Sequence, residues 1–461
     1  MPNKNPEAIN SLRDFPSVEI LAGHPTLIAW HKALPRPLII SGIRGVIAEC
    51  KKDFAAGKTA LTISDLIAAV ESELAAFKGL DLRAVVNGTG IIIHTNLGRA
   101  PISVAMIESA AAIATGYTNL EYDLTGGARG VRGAYVEHLL SLLCETESGT
   151  IVNNNAAAVF IILNTLANRK EVIISRGELV QIGGGFRIPE IMSKAGVRLV
   201  EVGTTNRTTA QDYEAAITPK TALILKVHRS NFTQSGFTEE APLSELASIC
   251  RTHQLHLVHD LGSGLITLPA DISLPHEPTV TDSVRAGADL TCFSGDKLLG
   301  GVQSGLIVGR RELVNRIKKN PLFRAVRCDK LAFVLTGEVL KAYLNGTQCN
   351  DIPIWQMMSA SAIDLKLRGE KIVQGCRGRD VVLRATRAFP GGGSAPEESI
   401  ASLAVSIRSP KLNANNVARR FREFDPPIIG RVENDDFLID LRTLFPNQDN
   451  ILIAATIQIL D

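Results

Sequence analysis

Between Asn87 and Leu335 short apolar runs recur: GTIV (149–152), EVII (171–174), VRLVEV (197–202), TALILKV (221–227), LHLV (255–258), ADLTCF (288–293) and SGLIV (304–308). They are continuous where a half-exposed strand would alternate apolar with polar, as expected for strands covered on both faces. Helical patterns or loops separate them. The fold class predicted is α/β, with a mostly parallel central sheet and helices on each side.

The two ends read differently. Near the amino terminus Ile39, Ile43, Val46, Ile47, Cys50 and Phe54 share one helical face, with Gly57 just beyond. A second helix turns Leu66, Ile67, Val70, Leu74 and Phe77 inward, and Thr62 and Asp65 stand at capping-box spacing at its start. Towards the carboxyl terminus Ile400–Ile407 reads as a strand, followed by a helix with Val417, Phe421 and Phe424 inward and Arg419, Arg420 and Arg422 outward. IIGRV and FLIDL suggest a hairpin around Glu433–Asp436, and a closing helix starts near Ile451. Gly391, Gly392, Gly393 and Ser394 open the first strand of this layer or form a turn only. The expected domains are a helical 1–80, a large catalytic domain 81–335 and a small α+β domain 336–461.

The length of 461 residues agrees with two or three domains at about 150 residues each. With 45% hydrophobic and 21% charged residues the chain has the composition of a globular protein and not of a disordered one. Lys and Arg number 49 against 47 Asp and Glu, so no whole-chain field marks a nucleic-acid binder, and such a partner must be met through local patches. The most basic stretch is 310–330, with eight basic and two acidic residues, readable as a binding patch or as a solvated helix face. Seven cysteines, never two or three apart, argue against a disulfide framework and a zinc ribbon. The polar start, MPNKNPEAIN, and the lack of any run near the ~18 apolar residues of a membrane span lead to the expectation of a cytoplasmic protein.

The sharpest chemical motif is TCFSGDKLLGG (291–301), in which an apolar strand delivers Ser294, Asp296 and Lys297 to a glycine-bounded loop. A lysine just past a buried strand end loses solvation, which lowers its pKa as a Schiff-base lysine requires. A solvated loop lysine beside a capping aspartate fits the same letters. Upstream, LHLVHDLGSG (255–264) puts Asp260 at the carboxyl end of a buried strand, where open α/β sheets bind ligands. The pair is the arrangement a pyridoxal-phosphate site needs: a carboxylate to keep the pyridine nitrogen protonated and an amine to carry the aldehyde. GTIVNNNAAAV (149–159) supplies a strand, a polar turn and a helix start, where the N–H groups around Asn155, Ala156 and Ala157 could cradle a phosphate. His228 ends a strand at the same sheet edge as Asp260, as a cofactor contact or a structural histidine. Arg129 and Arg132 sit in a glycine-rich loop that fits an anion site or plain salt bridges. His253, His256 and His259 have a metal-like spacing, but on a strand His256 and His259 point to opposite faces, and no metal site is expected.

Taken together, NGTGIIIHTNLGRAP (87–101), NLEYDLTGGARGVRG (119–133), SRGELVQIGGGFRIP (175–189), HDLGSG (259–264) and SGDKLLGG (294–301) resemble bacterial selenocysteine synthases, the L-seryl-tRNA(Sec) selenium transferases. The resemblance spans nearly the whole chain, through RV-x(5)-LIDLRT at 431–443. It implies a fold-type-I enzyme dependent on pyridoxal 5'-phosphate, with Lys297 as Schiff-base lysine and Asp260 as pyridinium partner. By the same resemblance Arg324 and Arg327, joined by Arg99, meet selenophosphate, and three-residue spacing on a helix would put Arg324 and Arg327 on one side. The family also implies a dimer-based homo-oligomer, a decameric ring, whose amino-terminal domain holds seryl-tRNA(Sec). The expected reaction removes the seryl hydroxyl, aided by Asp296 or Lys297, to give a dehydroalanyl-tRNA to which selenium adds. Two other readings fit part of the pattern: a β-eliminating ammonia lyase on a phosphorylated sugar acid, and a catalytically silent tRNA-binding protein on the same scaffold.

Overall fold

The computed structural model describes residues 8–57, 61–182, 185–269, 272–391, 395 and 398–461. Gly183 and Gly184 of the SRGELVQIGGGFRIP motif, and Gly392, Gly393 and Ser394, lie outside them. The chain forms two compact units, Met1–Ala84 and Val85–Asp461.

The first unit is built on the helices Arg36–Ala55 and Ile63–Gly79. Their inward positions are those the periodicity gives: Ile39, Ile43, Val46 and Ile47 meet Leu66, Val70 and Leu74 in one core, completed by Leu21 and Leu27 from short helical turns. The expected capping box forms, with Thr62 Oγ1 accepting from the Asp65 N–H and the Asp65 carboxylate accepting from the Thr62 N–H.

The second unit is organised around a seven-stranded sheet: β1 (Ser148–Val152), β2 (Glu171–Ser175), β3 (Arg198–Val202), β4 (Thr221–Val227), β5 (His256–Gly262), β6 (Leu290–Ser294) and β7 (Gly305–Gly309). The spatial order is β3-β2-β4-β5-β6-β7-β1. The first five of these neighbours pair in parallel, while β7 runs antiparallel to both β6 and β1. Each apolar run feeds two cores. Val172, Ile174, Leu223, Leu225 and Val258 face the core under helix Asn155–Ala167, while the alternate residues Ile173, Ile224 and Leu257 face one that includes Tyr213 and Leu246. Burial on both faces is why the runs are continuous.

The carboxyl-terminal layer is a second sheet in which Ile400–Ile407 pairs with Val381–Gly391 and with Asp436–Asp440. The eleven-residue strand Val381–Gly391 was not anticipated, because its sequence VVLRATRAFPG alternates and half of it is exposed or only part-buried. Gly391 therefore ends a strand where a strand was expected to begin. The start of the second unit is woven into this layer: Ile91–Ile93 runs parallel to Val381–Gly391, and Val86–Asn87 beside Ile428–Ile429. Helix Lys330–Leu344 runs across the expected 335/336 division. Among the described residues no helix is long and apolar enough to cross a membrane.

Candidate active site

The chemistry gathers at the carboxyl ends of β4, β5 and β6. Val258 faces the core under helix Asn155–Ala167, so Asp260, two residues on, points to that face, and Cys292 of β6 stands in register beside it. Asn155, the first residue of the helix, donates from Nδ2 to Asp260 Oδ1 at 2.8 Å, and the Cys292 thiol approaches the same oxygen at 3.9 Å. Among the described residues no hydrogen bond reaches Asp260 Oδ2. His228 follows β4, and its backbone N–H donates to the Asp260 carbonyl at 2.9 Å, which sets it beside Asp260 as expected.

The lysine loop is fixed by its backbone. Leu298 N–H donates to the Ser263 carbonyl (2.9 Å), Gly300 N–H to the Lys297 carbonyl (2.9 Å) and Gly301 N–H to the Gly295 carbonyl (2.8 Å). Ser294, the buried last residue of β6, leaves its carbonyl against Gly264, where a Cβ would come within 2.3 Å of the Ser294 oxygen at a φ of +80°. Only glycine fits there. Lys297 itself is 8% exposed. Burial lowers its pKa, reinforced by the Arg99 guanidinium and opposed by the carboxylates of Asp260, Asp296 and Glu277.

The GRAP segment docks on this loop. A left-handed turn at Gly98 and Arg99 (φ 91° and 64°) lets Arg99 Nη1 reach Asp296 Oδ2 at 2.7 Å, and the Ala100 N–H donates to the Asp296 carbonyl. Asp296 is thus a buried carboxylate with a cationic partner. Asp260 has none so close: burial pushes its carboxyl up, against the Asn155 amide, the Lys297 and His228 charges and the Cys292 thiol.

Among the described residues, four buried polar atoms near this centre have no hydrogen-bond partner: Asn155 Oδ1, His228 Nε2, Ser263 Oγ and Glu277 Oε1. With Oδ2 of Asp260, those of Asn155 and Ser263 fit a polar ring carrying several donors and acceptors, and a cationic ring nitrogen would bring a positive charge into contact with Asp260. At the start of the helix the N–H donors differ in whether they are occupied. Among the described residues no hydrogen bond occupies the Asn155 or Ala156 N–H. Ala157 differs: Asn154 caps the helix and accepts the Ala157 N–H at 2.9 Å, so that donor is spent.

The arginines need a correction. Helix Phe323–Val326 is a single turn, and Arg327 beyond it is extended (φ −70°, ψ 144°), so Arg324 and Arg327 do not share a helical face. Arg324 is exposed, while Arg327 forms a bridge to Val152 at the end of β1, close to the Asn155 helix, and lies 3.5 Å from Glu121. Glu121 also pairs with Arg129 (3.1 Å) and Arg132 (2.7 Å), so these three arginines ring one carboxylate. Glu178, in the SRGE motif, serves the opposite face of the sheet, bound to Lys226 at 2.5 Å. The histidines go separate ways: His253 to Glu214 and His259 to Ser283. Sequence reasoning left Asn154 unnamed within the polar turn and Glu121 unnamed beside arginines it read as an anion site or salt bridges, and it missed Ser263 and Glu277, whose parts arise from tertiary contacts.

The fold, with Asp260 and Lys297 at neighbouring strand ends, is that of the fold-type-I class of pyridoxal-phosphate enzymes. The solved structure of a D-glucosaminate-6-phosphate ammonia-lyase superposes with a TM-score of 0.60, covering 84% of this chain and 98% of that one at 21% identity, which supports the fold alone. A family profile described as "SelA: L-seryl-tRNA selenium transferase" matches residues 85–445. The L-seryl-tRNA(Sec) selenium transferase of Aquifex aeolicus is 42% identical over 93% of this chain and 95% of its own. That of Moorella thermoacetica is also 42% identical, over 99% and 98%, which takes in the amino-terminal unit. The chain belongs to the L-seryl-tRNA(Sec) selenium transferase family.

Gly264→Ala tests how the site is held. Strain at positive φ costs about 1–2 kcal/mol before the clash with the Ser294 carbonyl is counted. The variant is expected to fold with reduced stability and to bind pyridoxal phosphate poorly; unchanged binding by absorbance titration would show that the lysine loop does not depend on this approach.

Proposed function

We propose that the chain converts L-seryl-tRNA(Sec) to L-selenocysteinyl-tRNA(Sec) with selenophosphate as donor, using pyridoxal 5'-phosphate held between Asp260 and Lys297. The observation that carries this reading is the buried pair itself: Asp260, with one oxygen held by Asn155, on the strand beside the one that delivers a desolvated lysine.

Lys297 would hold the cofactor covalently, Asp260 its ring nitrogen, and the Asn155 and Ala156 N–H groups at the helix start its phosphate, with Ser294 and His228 flanking it. When bound, the cofactor supplies an electron sink for negative charge at the substrate Cα. The chain's own groups supply the proton movements. Lys297, its ammonium form disfavoured by burial, takes the Cα proton as a neutral amine. The proton Lys297 has taken then passes to the leaving seryl hydroxyl, directly from its ammonium or relayed through the Asp296 carboxylate that Arg99 fixes. Arg99, Arg324 and Arg327 meet the selenophosphate, whose oxygens suit guanidinium forks. The amino-terminal unit would hold the tRNA, and the enzyme would act in the cytoplasm as a dimer-based oligomer, a decameric ring.

Three experiments test the parts. The purified protein is expected to be yellow and to bleach with borohydride, whereas Lys297→Ala is colourless, folded by circular dichroism and slower by about 10²–10⁴-fold; normal turnover in that variant overturns the cofactor assignment. Deleting residues 1–84 is expected to preserve the colour and weaken tRNA binding, and equal affinity would move recognition to the basic 310–330 stretch. Charge-assisted hydrogen bonds are each worth roughly 1.5–3 kcal/mol. Arg324→Ala with Arg327→Ala should therefore still remove the seryl hydroxyl but fail to add selenium at ordinary donor concentrations; normal selenium transfer would make both arginines surface charges.

A further inference from the structure

Glu277 lies in a loop that the sequence does not mark, yet its side chain is 1% exposed. Its two oxygens face two different parts of the unit. Oε2 accepts the backbone N–H of Ala395 at 3.1 Å, and Oε1 lies 3.3 Å from His228 Nε2. The loop is pinned around it, since the Glu277 N–H donates to the Leu274 carbonyl and the Val280 N–H to the Leu265 carbonyl. The segment it touches is tied back in turn: Glu398 N–H donates to the Ala395 carbonyl, and Glu398 Oε1 accepts the His276 N–H at 3.4 Å.

A buried carboxylate is a costly way to hold one backbone N–H, because an amide or a carbonyl oxygen would do so without a charge to desolvate. The charge is met by the imidazole at 3.3 Å, while its pull on Lys297 is the smallest of the three carboxylates acting there. Among the described residues neither Glu277 Oε1 nor His228 Nε2 has a hydrogen bond, although they stand within ion-pair distance. Two unsatisfied buried atoms facing each other at 3.3 Å need only a small ring rotation to become a direct N–H···O bond. His228 is in turn fixed at its backbone to Asp260.

From this geometry we infer that Glu277 is a positioning residue: it holds the His228 ring, with Nε2–H directed at its carboxylate, in one orientation beside Asp260, and it anchors that arrangement to Ala395. The inference rests on the proposed placement of His228 at the cofactor site. Glu277 touches neither substrate nor cofactor. It acts as the carboxylate behind a histidine does elsewhere, selecting a tautomer and a ring orientation.

Glu277→Gln keeps an oxygen for the Ala395 N–H but removes the charge. The full-length variant is expected to fold and to melt close to the wild type. Its apoprotein should bind pyridoxal phosphate more weakly and show a shifted visible band. With seryl-tRNA(Sec) its kcat should fall by about tenfold to a hundredfold with KM little changed, the scale of a misplaced active-site group. In a His228→Asn background the same change should add nothing, because a residue acting through His228 has no further effect once His228 is gone. Additive effects in the double variant, or a wild-type band and kcat in Glu277→Gln, overturn the inference. So does failure of Glu277→Gln to fold, which would make the carboxylate a packing device for the Ala395 segment. A wild-type protein with no visible band would instead overturn the cofactor reading on which this one rests.

Discussion

Asp260 is a carboxylate buried at the end of a parallel strand, with one oxygen held by a helix-start asparagine and, among the described residues, no ion pair as close as that of Asp296 with Arg99. A buried ion lacking a close counterion costs several kcal/mol. The surrounding architecture sustains that cost: two apolar cores press the sheet from both sides, and the strand carrying Asp260 has parallel neighbours on each side. The site has the electrostatics of a socket for a cationic ring. The second carboxylate, Asp296, stands under the same burial but is neutralised by Arg99. Two aspartates 36 positions apart thus stand in different electrostatic settings, one held by an asparagine amide and the other by a guanidinium.

Much of this was legible in the sequence, for a physical reason. Strands buried on both faces must be apolar throughout, so TALILKV and ADLTCF announced themselves, and Asp260 and Lys297 stood out as charges at the ends of such runs. The two amino-terminal helices and their capping box were equally plain. The strand Val381–Gly391 was hidden because it is half-exposed and its apolar residues are diluted by arginines and a threonine. Spacing misled at Arg324 and Arg327, since three-residue separation implies a shared face only while the helix continues, and this one stops at Val326. Ala157 was misjudged for a related reason: Asn154, read as part of a polar turn, spends its side chain on that very N–H. Glu277 carries no local signature at all, because its partners His228 and Ala395 are distant in sequence.

The weave of the chain explains why the glycine-rich motifs lie so far apart in sequence. Residues 86–93 join the carboxyl-terminal sheet before Arg99 reaches the lysine loop, so that layer and the central sheet share the segment that carries Arg99. Glu277, between His228 and Ala395, is a second tie between the site and the region near that layer. Catalytic geometry here depends on contacts that close only when the whole unit Val85–Asp461 is folded.

The central claim is that this site exchanges the seryl hydroxyl of a particular tRNA for selenium. It is tested most directly by incubating the purified protein with seryl-tRNA(Sec) or seryl-tRNA(Ser), with and without selenophosphate, and analysing the esterified amino acid. The account predicts selenocysteine only when seryl-tRNA(Sec) and selenophosphate are both present. Serine recovered unchanged from seryl-tRNA(Sec) with the donor present, in protein that carries its cofactor, would contradict it.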